Sequence, residues 1–167
     1  MLTAIALIVF IIEAQIPLPV PIPGAKLGLA NTVTLFALFY VRQGDGSHVP
    51  KTYLTTANVF MILVCRIILG AAFTGRVVAF IYSITGGLLS FAAMASMKKI
   101  VTDKQIWACG AVGAVFHNIG QILAAMVITG TPSIAAYLPL LIIAGIITGI
   151  LTGLIAQFTI ARIGNRE

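Results

Sequence analysis

Charge is scarce in this 167-residue sequence, and acidic residues are the scarcest. Charged residues make up 8% of the chain, and four of them are acidic. Soluble domains carry about a quarter charged residues, so this composition excludes an ordinary soluble domain. The aspartates, Asp45 and Asp103, lie far apart, and no two cysteine, histidine or carboxylate positions show metal-ligand spacing. The sequence therefore predicts no metal site.

Other motifs that carry chemistry are missing as well. Cys65 and Cys109 both fall in apolar stretches, which indicates packing rather than a disulfide framework. No serine or cysteine stands beside a histidine with an orienting acid, so nucleophilic catalysis lacks support. There is also no Gly-rich Walker loop for ATP hydrolysis. We therefore expect neither an enzyme nor a bound cofactor.

Apolar residues are what the sequence has in abundance. They make up 60% of the chain, and the mean hydropathy is +1.11. Because a helical span needs about 20 apolar residues, the length allows six spans with short loops. We predict an all-α, six-helix transmembrane bundle that forms one domain over residues 1–167. The predicted spans are 2–16, 27–41, 54–72, 77–97, 105–129 and 138–161.

The net charge of +6 is best explained by membrane topology rather than by a nucleic-acid partner. With the N terminus inside, the cytoplasmic segments contain seven basic residues: Arg42, Lys51, Lys98, Lys99, Lys104, Arg162 and Arg166. The outer segments contain two, Lys26 and Arg76. This asymmetry predicts a multi-pass protein of the cell membrane with both termini in the cytoplasm.

A proline-rich segment separates the first two predicted spans. Four prolines alternate with other residues and are followed by a glycine: Pro17, Pro19, Pro21, Pro23 and Gly24. Proline fixes φ near −65° and donates no backbone hydrogen bond, so the segment should run extended and stiff. We interpret it as an outer strap that forms the rim or lid of a binding site.

Polar residues within the predicted spans gather toward the outer half of the bundle. The candidate site residues are Glu13, Lys26, Asn31, Arg66, Arg76, His117, Asn118 and Gln121. Because ionisable groups are costly in a membrane, they usually mark function. They predict an outward-facing, water-accessible cavity with a cationic lining. Such a cavity suits a small anionic or zwitterionic solute with an apolar portion.

Most of these residues also have a structural explanation, and His117 on its glycine-rich face could be a packing histidine. Arg66 could pair with Glu13, or extend outward to the interface, and Lys26 and Arg76 could be interfacial anchors. Asn31 and Asn118 could simply bridge helices.

Two stripes of small residues predict close helix contacts. Glycines recur every four residues at Gly145, Gly149 and Gly153. A second stripe on the fifth span combines small and polar residues: Gly110, Gly113, His117, Gly120, Gln121 and Ala124. Both stripes should face the interior of the bundle.

Three segments together resemble a known family. These are LTAIAL at 2–7 with Glu13 downstream, PIPGAKLGLANTVTL at 21–35, and FHNIGQ at 116–121. They are similar to the bacterial Gx transporter family, often labelled heptaprenyl diphosphate synthase component I. That family in turn resembles the substrate-binding S-components of energy-coupling factor (ECF) transporters.

The resemblance implies a six-helix S-component fold that captures substrate from outside. It also implies partners, namely a transmembrane coupling subunit and two cytoplasmic ATPases. The strap over 17–26 would then gate the site, and Asn31, His117, Asn118 and Gln121 would line it. One feature departs from the pattern: S-components commonly carry Ala-x-x-x-Ala on the first helix, whereas Ala4 and Ala6 lack that spacing. A truncated N terminus would explain part of this.

Three functions therefore remain open. The first is an S-component that binds a small-molecule substrate for import. The second is a membrane accessory subunit of a prenyl diphosphate synthase that holds lipid substrate for a soluble partner. Prenyl diphosphate synthases chelate magnesium diphosphate with clustered aspartates, and the two separated aspartates here cannot do so alone. The third is a structural membrane protein whose polar groups only connect helices.

Overall fold

The computed structural model of the protein describes residues 2–13, 15, 28–43, 55–75 and 77–164. These residues form helices, and no strand occurs among them. The helices are α1 Leu2–Glu13, α2 Asn31–Gln43, α3 Thr56–Thr74, α4 Val77–Met97, α5 Ile106–Thr129 and α6 Leu138–Gly164. Short 3₁₀ turns, Asp103–Gln105 and Pro132–Tyr137, precede α5 and α6. The all-α prediction and the six helical segments are confirmed.

Helix length divides these elements into two groups. Four segments are long and apolar enough to cross a membrane: Thr56–Thr74, Val77–Met97, Asp103–Thr129 and Pro132–Ile163. Helices α1 and α2 have 12 and 13 residues, so they extend over about 18–20 Å. A bilayer core is about 30 Å thick, so the described parts of α1 and α2 are too short to cross it. The fold is compatible with a multi-pass membrane protein.

Helix α5 lies at the centre of the bundle because small residues let its neighbours approach closely. A Cβ atom added to Gly110 would lie 2.5 Å from the carbonyl oxygen of Gly149 on α6. One added to Gly120 would lie 2.8 Å from Cα of Gly86 on α4. Both predicted small-residue stripes are buried at these helix contacts, which confirms that they face the interior.

Two apolar clusters show how the helices are oriented. The first joins the C-terminal parts of α2, α4 and α6 to the N-terminal parts of α3 and α5, as at Phe39, Val59 and Ile160. The second joins the N-terminal parts of α4 and α6 to the C-terminal part of α5, as at Tyr82, Ala125 and Leu141. Helices α2, α4 and α6 therefore run antiparallel to α3 and α5.

Four of the described basic residues lie at the end of the bundle that contains the first cluster. Lys98 and Lys99 follow α4, Lys104 precedes α5, and Arg162 is in the last turn of α6. We call this the basic end. Its location on the cytoplasmic side of the membrane stays a prediction from the charge distribution.

Candidate functional site

Glu13, the last residue of α1, binds the backbone at the start of α2. One carboxylate oxygen, Oε1, accepts hydrogen bonds from the N–H groups of Gly28 and Leu29, the latter at 3.0 Å. The other oxygen, Oε2, accepts from the N–H of Ala30 at 3.3 Å. The first N–H groups of a helix lack intrahelical partners and carry a partial positive charge. A buried carboxylate here satisfies them and connects the two helices.

Arg66 occupies the interior of the bundle rather than its surface. Its side chain is 2% exposed, and its Nη2 donates to Oδ1 of Asn31 at 3.3 Å. The Asn31 amide nitrogen in turn donates to Oγ of Ser90 at 3.2 Å. These three side chains link α2, α3 and α4.

Ser90 is a member of this network that sequence reasoning missed. The available signal was its position on α4, three and four residues after Gly87 and Gly86. That spacing places all three small residues on one face, where another helix can approach. A small stripe of this kind predicts a helix contact, but it does not reveal that the serine accepts a bond from Asn31.

His117 and Gln121 lie next to the same network. Their Nε2 atoms are 2.7 Å apart, so the glutamine amide donates to a ring nitrogen that accepts. A Cβ atom added to Gly28 would lie 3.1 Å from Cδ2 of His117 and 3.2 Å from Nδ2 of Asn31. Gly28 has a φ of 83°, a conformation that favours glycine. The chain therefore needs glycine at the point where it passes between Asn31 and His117.

Asn118 points to a different neighbour. Its amide nitrogen donates to the carbonyl oxygen of Leu141 on α6 at 2.6 Å. A Cβ atom added to Gly145 would lie 2.7 Å from the same nitrogen. Asn118 thus joins α5 to α6, whereas Asn31, Arg66 and Ser90 join α2, α3 and α4. The predicted site residues on α5 do not all face one space.

The polar residues are packed together more tightly than the sequence predicts. We name the buried group Glu13, Asn31, Arg66, Ser90, His117 and Gln121 the polar cluster. A cavity that touches it at Asn31, beside Gly28, measures about 10 Å³. That is room for about one water molecule. Among the described residues, direct hydrogen bonds and close glycine contacts pack these side chains together. The expected solute-sized, water-accessible cavity also includes Lys26, Arg76 and the strap, so it stays a prediction.

Several predicted site residues cannot be compared with the structure. Lys26, Arg76 and the strap residues Pro17, Pro19, Pro21, Pro23 and Gly24 lie outside the described residues. Their assignment to the site and to a gating loop stays a prediction.

A second feature, which the sequence did not suggest, is an apolar groove of about 650 Å³ between α1, α2 and α6. We call it the lateral groove, because its walls include the exposed side chains Ile5 and Ile155, which are 40% and 61% exposed. Its lining residues are Leu2, Ile5, Val9, Leu29, Thr32, Val33, Phe36, Thr152, Ile155, Ala156, Thr159 and Ile163. They come from three separate parts of the chain, so no local sequence pattern predicts the groove.

The basic end contains a third feature. A depression of about 740 Å³ is lined by Thr56, Ala95, Ser96, Lys98 and Lys99. Elsewhere, no three histidine, cysteine or carboxylate side chains among the described residues come together as metal ligands would. The described site thus offers buried hydrogen bonding, an apolar groove and a cationic end.

Comparison with known proteins gives one match. The family model described as heptaprenyl diphosphate synthase component I matches residues 2–159. No curated protein and no solved structure matches the chain.

Proposed function

Because the chain belongs to the heptaprenyl diphosphate synthase component I family, we propose that it is the membrane component of a prenyl diphosphate synthase. In this role it holds lipid substrate for a soluble partner that carries out the chemistry. The family match over 2–159 is the observation that carries the proposal, and the word "component" in the family description supports the existence of a partner.

The carboxylates of this chain support an accessory role rather than a catalytic one. Enzymes that act on diphosphates commonly hold Mg²⁺ between carboxylates and phosphate oxygens. The four acidic residues are Glu13, Asp45, Asp103 and Glu167, which are widely separated in sequence. Glu13 already accepts three backbone N–H groups, so its oxygens are occupied. The metal-binding carboxylates of the reaction must then come from the partner.

The basic end is where we place the soluble partner. Charge complementarity steers association and sets orientation. Lys99, Lys104 and Arg162 are exposed at this end. An acidic surface on the partner would find several cations there, on the side that the charge distribution predicts to be cytoplasmic.

The test combines co-purification of partner proteins with an activity assay on liposomes. The full chain is tagged, extracted in mild detergent with its bound proteins, and the co-purifying proteins are identified by mass spectrometry. An aspartate-rich synthase should co-purify, and it should form heptaprenyl diphosphate faster on liposomes that contain this chain than on empty liposomes. Equal rates on both, together with no co-purifying synthase, would contradict the proposal.

One observation favours a second function, the ECF-type importer. Within the described residues, Nε of the buried Arg66 has no hydrogen-bond partner. An unsatisfied cationic group beside the start of α2 is a place where an anionic solute could bind if the helices separated. Under this alternative, a coupling subunit and two ATPases would co-purify instead of a synthase. A ligand-induced thermal shift with a small anionic metabolite, abolished by Arg66→Lys, would favour import.

A further inference from the structure

The lateral groove runs along α6 toward an exposed arginine. On α6 its lining extends from Thr152 to Ile163, which corresponds to about 16 Å of helix. Arg162 lies seven residues after Ile155 and three after Thr159, so it is on the same face of α6. It is exposed and belongs to the basic end. The groove is therefore apolar along its length and has a cation at one end.

The surface of the groove is apolar, although three of its twelve lining residues are threonines. Each threonine hydroxyl donates to a carbonyl of its own turn: Thr32 to Leu29 at 2.6 Å, Thr152 to Thr148 at 2.8 Å, and Thr159 to Ile155 at 2.7 Å. With their donors used in this way, the threonines contribute mainly methyl groups to the surface. The remaining nine residues are apolar. The groove thus suits a hydrocarbon chain.

We propose that the lateral groove binds the isoprenoid chain of a prenyl diphosphate and that Arg162 contacts its diphosphate. This assignment rests on the proposed function, since the family description supplies the substrate class. A volume of about 650 Å³ is within the usual range of ligand sites, about 300–1,000 Å³. Arginine is suited to phosphate because its planar donors bind two oxygens at once. An apolar wall that ends at a cation matches an amphiphile with an anionic head.

The chain-binding part is tested by blocking the groove. The full protein is placed in nanodiscs, and its affinity for heptaprenyl diphosphate is measured by native mass spectrometry. Ile155→Trp and Thr159→Trp should each weaken binding about tenfold, because a bulky ring fills the groove. Ile147→Trp is the matched control, since Ile147 is 55% exposed on the same helix but does not line the groove. If all three variants bind heptaprenyl diphosphate as tightly as the parent protein does, with unchanged melting temperatures, the inference is overturned.

The head-binding part is tested at Arg162. Arg162→Gln should weaken heptaprenyl diphosphate binding about two- to fivefold, as expected for an exposed ion pair, and should leave heptaprenol binding unchanged. Lys99→Gln, at another exposed cation of the basic end, should change neither. An equal loss in Lys99→Gln would show that the head does not bind at Arg162. If phosphatidylglycerol competes as well as heptaprenyl diphosphate, the groove is a general lipid site and the inference fails.

The groove and the proposed function can fail separately. If the chain stimulates a synthase on liposomes and Ile155→Trp stimulates it equally, the accessory function stands and the groove assignment is wrong. If heptaprenyl diphosphate binds in the groove but no synthase responds, the groove assignment stands and the accessory function is wrong.

Discussion

The polar cluster and the lateral groove are two regions of one bundle with opposite character. In the polar cluster, side-chain hydrogen bonds link α2, α3 and α4, Glu13 of α1 bonds the backbone before α2, and His117 bonds Gln121 within α5. A cavity beside it has room for about one water. In the lateral groove, apolar side chains from α1, α2 and α6 surround about 650 Å³ of space. The first region consists of hydrogen-bonded polar groups beside a small cavity, and the second has room but almost no polar groups.

On this comparison, the polar cluster holds the fold together, whereas the lateral groove is a surface that is open to a ligand. A buried polar group is costly unless it is hydrogen-bonded, so the cluster must remain connected for the helices to pack. The groove has no such requirement, because a hydrocarbon chain can leave it and return without depriving any hydrogen-bond donor of its partner. Substitutions in the cluster should therefore reduce stability, and substitutions in the groove should reduce binding.

The largest effect on stability is expected at Glu13. Glu13→Ala removes the acceptor of three backbone N–H groups immediately before α2, two of them in buried bonds. The expected loss is about 3–5 kcal/mol of unfolding free energy, measured by thermal or denaturant unfolding in detergent micelles. Glu13→Gln keeps one oxygen acceptor and should lose less.

The control for Glu13 is its neighbour Ile12, which is 56% exposed. Ile12→Ala should change stability by no more than about 0.5 kcal/mol. If Glu13→Ala is as stable as Ile12→Ala, then the carboxylate does not hold α1 to α2, and the assignment of the cluster to the fold is wrong.

A smaller effect is expected from the two buried asparagines, and their order is informative. Asn31→Ala leaves Nη2 of Arg66 without its acceptor and should cost about 1.5–3 kcal/mol, as for a bond to a charged group. Asn118→Ala removes a neutral bond to the Leu141 carbonyl and should cost about 0.6 kcal/mol. Both costs are read from the same unfolding assay. The reverse order would show that Arg66 does not depend on Asn31.

The smallest effect is expected at Thr152, in the wall of the groove. Thr152→Val replaces a hydroxyl that donates to the Thr148 carbonyl with a methyl group of similar size. Stability should change by about 0.5 kcal/mol or less, and the affinity for heptaprenyl diphosphate should not change. A marked loss of affinity with unchanged stability would mean that the hydroxyl faces the ligand and that the surface of the groove is not apolar there.

Much of the fold could be predicted from the sequence, because membrane helices are marked by local composition. Long apolar runs separated by glycine, proline and charge gave six helices in the correct order, and the spacing of Gly145, Gly149 and Gly153 identified a helix contact. The prediction was less accurate at α2, which begins at Asn31 rather than at residue 27. Its start depends on Glu13, which is 15 residues from Gly28 in sequence.

The site was less predictable because its contacts, like the start of α2, depend on residues that are far apart in sequence. Composition shows that Arg66 and His117 are unusual in an apolar span, but not whether their partners are side chains or a solute. Ser90 carries only the signal of a small-residue helix contact, and the backbone of Gly28 carries no signal that it binds Glu13. The lateral groove depends on where α1, α2 and α6 meet, and every residue in its wall is an ordinary membrane residue. Both the polar cluster and the lateral groove depend on contacts between residues that are far apart in sequence.

The central claim is that the lateral groove, and not the polar cluster, receives the ligand. It is tested most directly by photo-crosslinking the full protein in nanodiscs with a heptaprenyl diphosphate analogue that carries a diazirine in its chain. Mass spectrometry of the digested protein then locates the label. The account predicts labelled residues on α1 and on the part of α6 from Thr152 to Ile163, with competition by unmodified heptaprenyl diphosphate. Competed labelling around Arg66 and His117, with none on α6, would contradict it.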